Sequence, residues 1–263
     1  ITSVPIAALS AALDRDDPLP NPGDPLPPLW TWLYFLPLHR RSEIGDDGHA
    51  KRGGFLPPVP LPRRMFAGGR LQFGRSLCVG DSISRTSSIV DVSCKEGRTG
   101  PLVFVLVRHE IRNSGGLAVI EEQDIVYRDH PSAGNTIQKP QSSPGAATWT
   151  REIRPDAILL FRYSALTFNG HRIHYDRQYA TEVEGYPGLV VHGPLTATLL
   201  LDLLRRSLPQ ATVARFVFRS VKPLFDITPF SVCGRVEQDD KTIRLWAADA
   251  SGDLAMDATA TLA

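Results

Sequence analysis

Three residues able to do chemistry fall within six positions of the stretch LTFNGHRIHYD (166–176): Asn169, His171 and His174. An ordinary imidazole titrates near ~6.5, so His174 can exchange a proton around neutral pH. Asn169 can orient a water molecule by donating and accepting hydrogen bonds, but it cannot be a base. On a tight loop both can converge on one small molecule, with His171 bracing the loop or lining the site. Downstream, His192-Gly193-Pro194-Leu195 opens the apolar segment GPLTATLLLDLLRR (193–206). As a helix, its first turn would present unpaired backbone N–H groups and the positive dipole end, the parts of an oxyanion site.

The elements that must position these groups follow from pattern. Residues 193–206 are apolar on nearly every side, so a helix there must be buried; Pro194 suits its first turn, and Arg205 and Arg206 suit its C-terminal end. The first half has a counterpart in LWTWLYFL (29–36), preceded by prolines. AILLFRYSAL (157–166) reads as a strand or short helix entering the histidine loop, and VEGYPGLVVHG (183–193) leads from the loop to the buried helix. The rest reads as antiparallel meanders: RLQF, SISRTSSIVDVS, LVFVLVRHEI and LAVIEEQDIVYR, then RFVF, FSVCGRVE, TIRLWAADA and LAMDATATL. The halves echo each other, with Phe73 and Phe218 each eight residues ahead of an aspartate, Asp81 and Asp226. A curved antiparallel sheet wrapped around a buried helix, twice in tandem, is an α+β double hot dog whose sheets can join. The proline- and glycine-rich run HPSAGNTIQKPQSSPGAA divides the chain, giving an expected first domain over residues 1–130, a linker over 131–147 and a second domain over 148–263.

Composition narrows the function. A net charge of +1 creates no field to gather nucleic acid or a membrane surface. Five lysines against twenty-four arginines reflect base composition more than ligand choice. Cys78, Cys94 and Cys233 are odd in number and widely spaced, against a disulfide framework or structural zinc and in favour of the cytoplasm. The apolar runs LVFVLV (102–107) and LYFLPL (33–38) are too short to span a bilayer, and no export signal opens the chain. The glycines of 45–54 and Gly68-Gly69 lack P-loop spacing. His39, His49, His109 and His130 read as surface or capping groups, and Asp202 as a paired residue before a thioesterase carboxylate. His171, His174 and His192 do not have the spacing of a helical zinc site, so no metal is expected.

The stretch SALTFNGHRIHYDRQYA (164–180) resembles the hydratase 2 signature of the MaoC-like enoyl-thioester hydratases and dehydratases, Ser-Gly-Asp-x-Asn-Pro-(apolar)-His. Aligned on the histidine, Thr167 takes the Ser place, Phe168 the Gly place, Asn169 the catalytic Asp place, His171 the Asn place, Arg172 the Pro place and His174 the catalytic His place. The family's helix-start glycine lands on Gly193. Asn169 departs from the pattern, yet TFNGHRIHYD followed by VEGYPGLVVHGPL is similar to one branch, the type 2 hydroxyacyl-thioester dehydratases and mesaconyl-C(4)-CoA (3-methylfumaryl-CoA) hydratases. PLPPLWTWLYFLP, GGFLPPVPLPRRMFAGGR and EEQDIVYRD extend the resemblance into the first half.

The resemblance implies reversible hydration of a 2,3-unsaturated acyl-CoA thioester, with mesaconyl-C(4)-CoA or a close C5 relative first. A 3-hydroxyacyl-thioester dehydratase of fatty acid synthesis, a hot-dog thioesterase and a non-catalytic acyl-CoA-binding module are the alternatives. His174, Asn169 and the Gly193 N–H are the expected catalytic groups; His171, Arg172, His192, Leu195, Arg63 and Arg64 are expected to bind substrate. Arg63, Arg64, Arg70 and Arg172 compete for a free carboxylate on the acyl group. The first half, lacking a matching loop, should wall the acyl pocket, with the insert of residues 39–64 as a lid. No cofactor is expected beyond the coenzyme A of the substrate, and the chain should be a monomer or homodimer.

Overall fold

The computed structural model describes residues 1–97, 100–129 and 140–263. His130 and linker residues 131–139 lie outside the described residues. Four strands come from the first half: β1 (Arg63–Phe73), β2 (Ser84–Gly97), β3 (Gly100–Asn113) and β4 (Gly116–Arg128). Five come from the second: β5 (Trp149–Ile153), β6 (Val213–Ser220), β7 (Phe230–Val236), β8 (Thr242–Asp249) and β9 (Leu254–Leu262). They form one antiparallel sheet in the order β2-β3-β4-β1-β6-β9-β8-β7-β5. The expected meanders pair as hairpins, and the two sheets merge where β1 meets β6, Gly68 opposite Arg219 and Leu71 opposite Phe216. A Cβ on Gly68 would stand 2.5 Å from the Phe218 carbonyl oxygen, so glycine lets the two halves close.

The apolar segment of the second half is the helix Gly193–Ser207, its leucines at 195, 199, 200, 203 and 204 all buried. Numbered in chain order it is α3, after α1 (Ser3–Ala12) and α2 (Ala157–Thr167). It packs on β1 as well as on β5 and β7 to β9, and its leucines share one core with Leu71, Ile111 and Val119 of the first half. This is a double hot dog, with one difference from expectation. LWTWLYFL forms only a single 3-10 turn, Trp30–Leu33, because Leu29 before it is left-handed and Pro27, Pro28 and Pro37 confine the flanks. The neighbouring apolar volume is taken by α1, which packs on both α2 and this turn. The 157–166 segment is a helix, not a strand: the Asp156 carboxylate caps it by accepting the Leu159 N–H at 2.8 Å. No helix among the described residues is long and apolar enough to cross a membrane.

Candidate active site

The histidine loop begins where α2 stops. Phe168, in the glycine place of the signature, adopts the left-handed backbone (φ 51°) that ends the helix, and Asn169 then donates its N–H to the Ser164 carbonyl at 2.8 Å. Asn169 Oδ1 accepts the His171 N–H at 3.0 Å. That bond fixes the amide's orientation, since a backbone N–H can only donate, and leaves the Asn169 NH2 group as a donor. A 3-10 turn, Arg172–His174, then carries His174 inward.

His174 is buried, and its Nδ1 lies 2.6 Å from the Val190 carbonyl oxygen. A carbonyl accepts only, so Nδ1 carries the proton and the neutral ring presents a bare Nε2. Val190 is fixed in turn: its N–H donates to the Ile173 carbonyl at 2.9 Å, and it bridges to Phe225. Burial, opposed by the Val190 hydrogen bond and aided by the charge of His49, lowers His174 from 6.5 to about 4, so the ring is neutral at neutral pH.

His174 stands in a column of four imidazoles. His192 stacks on one face at 3.7 Å between centroids, inclined by 19°. His171 meets it edge-on at 5.3 Å, and His49 lies against His171 at 3.9 Å. His192, the residue capping α3, is fully buried and shares a 2.8 Å hydrogen bond with Ser164 Oγ through Nε2. Burial, then the neighbouring His174 and His171, drive it well below the ordinary range. Gly193 follows immediately, so the His174 ring lies against the tip of α3, whose first-turn N–H groups have no helical partners.

His174 and Gly193 line one cavity of about 1600 Å³. Asn169, His171, Arg63, Arg64, Phe66 and Ser220 line it too. The other expected site residues do not. Arg172 turns away, held by Asp176 at 2.7 Å and by the Asp46 carbonyl. His192 supports His174 from behind, and the Leu195 side chain is buried in the core. Arg63 reaches the cavity wall but is engaged by Glu184 at 2.9 Å and lies over the Tyr186 ring. Asp202 lies far down α3, bound by Arg15, Arg151 and Arg206, each at 2.7–2.8 Å, which removes it as a hydrolytic carboxylate at this cavity.

Sequence reasoning expected the insert as a lid but missed the part His49 takes in the site. His49, expected on the surface, is carried by a turn in which Ile44 bridges Ala50 and the Asp47 carbonyl accepts the Arg172 N–H at 2.9 Å. Gly48 is left-handed (φ +87°), and a Cβ there would stand 1.8 Å from the Gly170 carbonyl oxygen, so the two loops meet glycine to glycine. The run GDDGH was the available signal, but nothing in it names a partner more than a hundred residues away. His109 is likewise buried, bonded to Ser87 Oγ at 2.7 Å, and burial with the Arg85 charge lowers it to about 4. Asp47, His49 and His171 bring one potential ligand atom each within 4.8 Å of one another. The fit to a metal is poor: Asp47 already holds His49 Nδ1 at 3.0 Å, and Arg64 acts on both imidazoles as a repelling positive charge.

The architecture and this cavity define a double hot dog with a histidine loop set against a helix tip. The hydroxyacyl-thioester dehydratase type 2 family model matches residues 29–226. The chain is 48% identical over 256 residues to the mesaconyl-C(4)-CoA hydratase of Chloroflexus aurantiacus, covering 97% of this chain and 90% of that one. It is 28% identical to the mitochondrial hydroxyacyl-thioester dehydratase type 2 of Schizosaccharomyces pombe, covering 79% and 77%. Among solved structures, a MaoC-like dehydratase superimposes with a TM-score of 0.73 at 14% identity, covering 100% of this chain and 94% of that one. A Mycobacterium tuberculosis protein described as a double hot dog does so at 0.62 and 14%, covering 100% and 92%. The chain belongs to the hydroxyacyl-thioester dehydratase type 2 family.

Proposed function

We propose that this protein is a hydro-lyase that reversibly adds water to the double bond of mesaconyl-C(4)-CoA, with His174 as its single acid–base group. The observation that carries the reading is the state of that ring: Nδ1 is committed to the Val190 carbonyl, and bare Nε2 shares a cavity with the start of α3. The 48% identity to a hydratase of this substrate supports the choice of acyl group over the longer acyl chains of fatty acid synthesis.

In the hydration direction a water molecule accepts a hydrogen bond from the Asn169 NH2 group and gives a proton to His174 Nε2. Its oxygen bonds to the β-carbon while the double-bond electrons move to the α-carbon and the thioester oxygen. The Gly193 N–H meets the developing enolate oxygen. The imidazolium then returns its proton to the α-carbon on the same face, restoring the neutral ring and the thioester. A ring this deeply buried is a weak base in the free enzyme, and the enolate supplies the counter-charge that lets it hold a proton in passing. No cofactor enters beyond coenzyme A. Three unpaired cysteines fit the cytoplasm as the site of action.

The test is a panel of CoA esters followed by loss of the enoyl-thioester absorbance: both mesaconyl regioisomers, crotonyl-CoA and longer 2-enoyl-CoA esters. Fastest turnover of mesaconyl-C(4)-CoA is expected. Preference for a long, uncharged enoyl chain would replace this reading with a fatty-acid dehydratase, and release of free thiol would replace it with a thioesterase.

A further inference from the structure

We infer that Arg64 determines the specificity of this cavity, by holding a free carboxylate carried on the β-carbon of the acyl group. The inference rests on the reading above and adds the residue that selects the substrate. In 3-methylfumaryl-CoA the carbon that receives the hydroxyl also bears the carboxylate. The cation that holds this group must therefore stand beside the imidazole that activates the water, not at the far end of a long acyl slot.

That requirement separates the arginines. Arg63 is tied to Glu184, with both side chains nearly buried. Arg70 is held by Glu122 and by a bidentate contact with Asp124. Arg172 is bound to Asp176 outside the cavity. Lys222 reaches the cavity wall but is claimed by Asp249 at 2.5 Å and Asp253 at 3.0 Å. Arg64 also lines the cavity, and among the described residues it has no carboxylate partner. Its charge acts on both His49 and His171, which places it beside the imidazole column that runs on to His174. Arg41, Lys51, Arg52 and Arg128 lie on the cavity wall as well, but none is among the charges that act on His171, and Lys51 and Arg52 are spent on the backbone carbonyls of Ser42, Val59 and Pro62.

Strand geometry gives the spacing. Phe66 touches the space a Cβ on Gly193 would fill, at 3.7 and 3.9 Å. Two residues back along β1, before the bulge that follows Phe66, Arg64 returns to the same face about 7 Å away. A trans four-carbon acyl group with a hydrogen bond at its end covers that length. The thioester oxygen then sits at the tip of α3 and the carboxylate at Arg64, with the double bond between them beside His174. A bound carboxylate also cancels the positive charge that otherwise weighs on the imidazoles.

Succinyl-CoA and butyryl-CoA test this directly, because they are saturated, share the CoA part and differ only in a carboxylate or a methyl on the β-carbon. Inhibition constants for both are measured on the wild type, on Arg64→Gln and on Arg64→Lys. The wild type is expected to favour succinyl-CoA by about 10- to 100-fold, the value of one charge-assisted contact. Arg64→Gln should bring the ratio close to one, and Arg64→Lys should recover part of it. A wild-type preference that survives Arg64→Gln, or a loss of affinity for both ligands by the same factor, overturns the assignment while leaving the hydratase reading intact. A wild type indifferent to the carboxylate overturns the dicarboxylic substrate itself.

Discussion

Acidification should unfold this protein well above the range where carboxylates titrate. His174 and His109 are each buried and each lowered from 6.5 to about 4. Above pH 6.5 the rings are neutral in both folded and unfolded chains. As pH falls below 6.5 the unfolded chain takes up protons that the native state refuses, so stability drops until about pH 4, where the native rings protonate as well. At about 1.4 kcal/mol per pH unit, each ring contributes roughly 3 to 4 kcal/mol of lost stability across that window, about 7 kcal/mol for the two. His49, His171 and His192, all lowered by burial, act in the same direction. Glu121 opposes them: burial raises its folded pKa, so on acidification the native state takes up this proton ahead of the unfolded chain. The net loss is comparable to the whole stability of an ordinary domain, about 5–15 kcal/mol. The assay is the urea midpoint, followed by tryptophan fluorescence from pH 7.5 to 4.5. The midpoint should fall steeply below pH 6.5, with His109→Gln shallowing the slope by about one proton. A midpoint independent of pH across this window would refute the burial of neutral imidazoles.

Two further outcomes follow from the packing. Gly48→Ala forces a left-handed alanine, at about 1–2 kcal/mol, and a methyl into the Gly170 carbonyl. The melting temperature should fall by only a few degrees, while kcat/KM drops at least about tenfold as the insert lifts from the histidine loop. Asp202→Asn leaves three arginines without their buried carboxylate. Unfolding free energy should fall by about 3 kcal/mol, the low end for a broken buried pair because Arg151 and Arg206 keep some solvent access. Steady-state kinetics should be unchanged, since Asp202 lies about 13 Å along the helix from Gly193.

The sequence made the frame of the site readable because its signals are local. Pro194 and the leucines after it announce α3, and the spacing of Asn169, His174 and Gly193 is a short-range pattern that a family resemblance can carry. Asp156 was also a readable signal, since a side-chain cap favours helix over strand for 157–166, but apolar runs of that length suit either. Other features depend on tertiary packing and leave no local trace. His49 reaches His171 only because Gly48 and Gly170 allow two backbones to touch. Arg63 and Arg64 are adjacent and identical in type; only the alternation of β1 and the presence of Glu184 tell them apart. LWTWLYFL has the composition of a buried helix, but the flanking prolines and left-handed Leu29 reduce it to one turn, and α1 occupies the space instead.

The most direct measurement is the hydration rate of mesaconyl-C(4)-CoA by His174→Ala against the wild type, with binding of succinyl-CoA recorded for both. The account predicts that kcat falls by about 10²–10⁴-fold while the ligand still binds, because the variant loses proton transfer and keeps the α3 tip and Arg64. Turnover within a fewfold of wild type would mean that another group moves the proton, and the single-imidazole mechanism would be wrong.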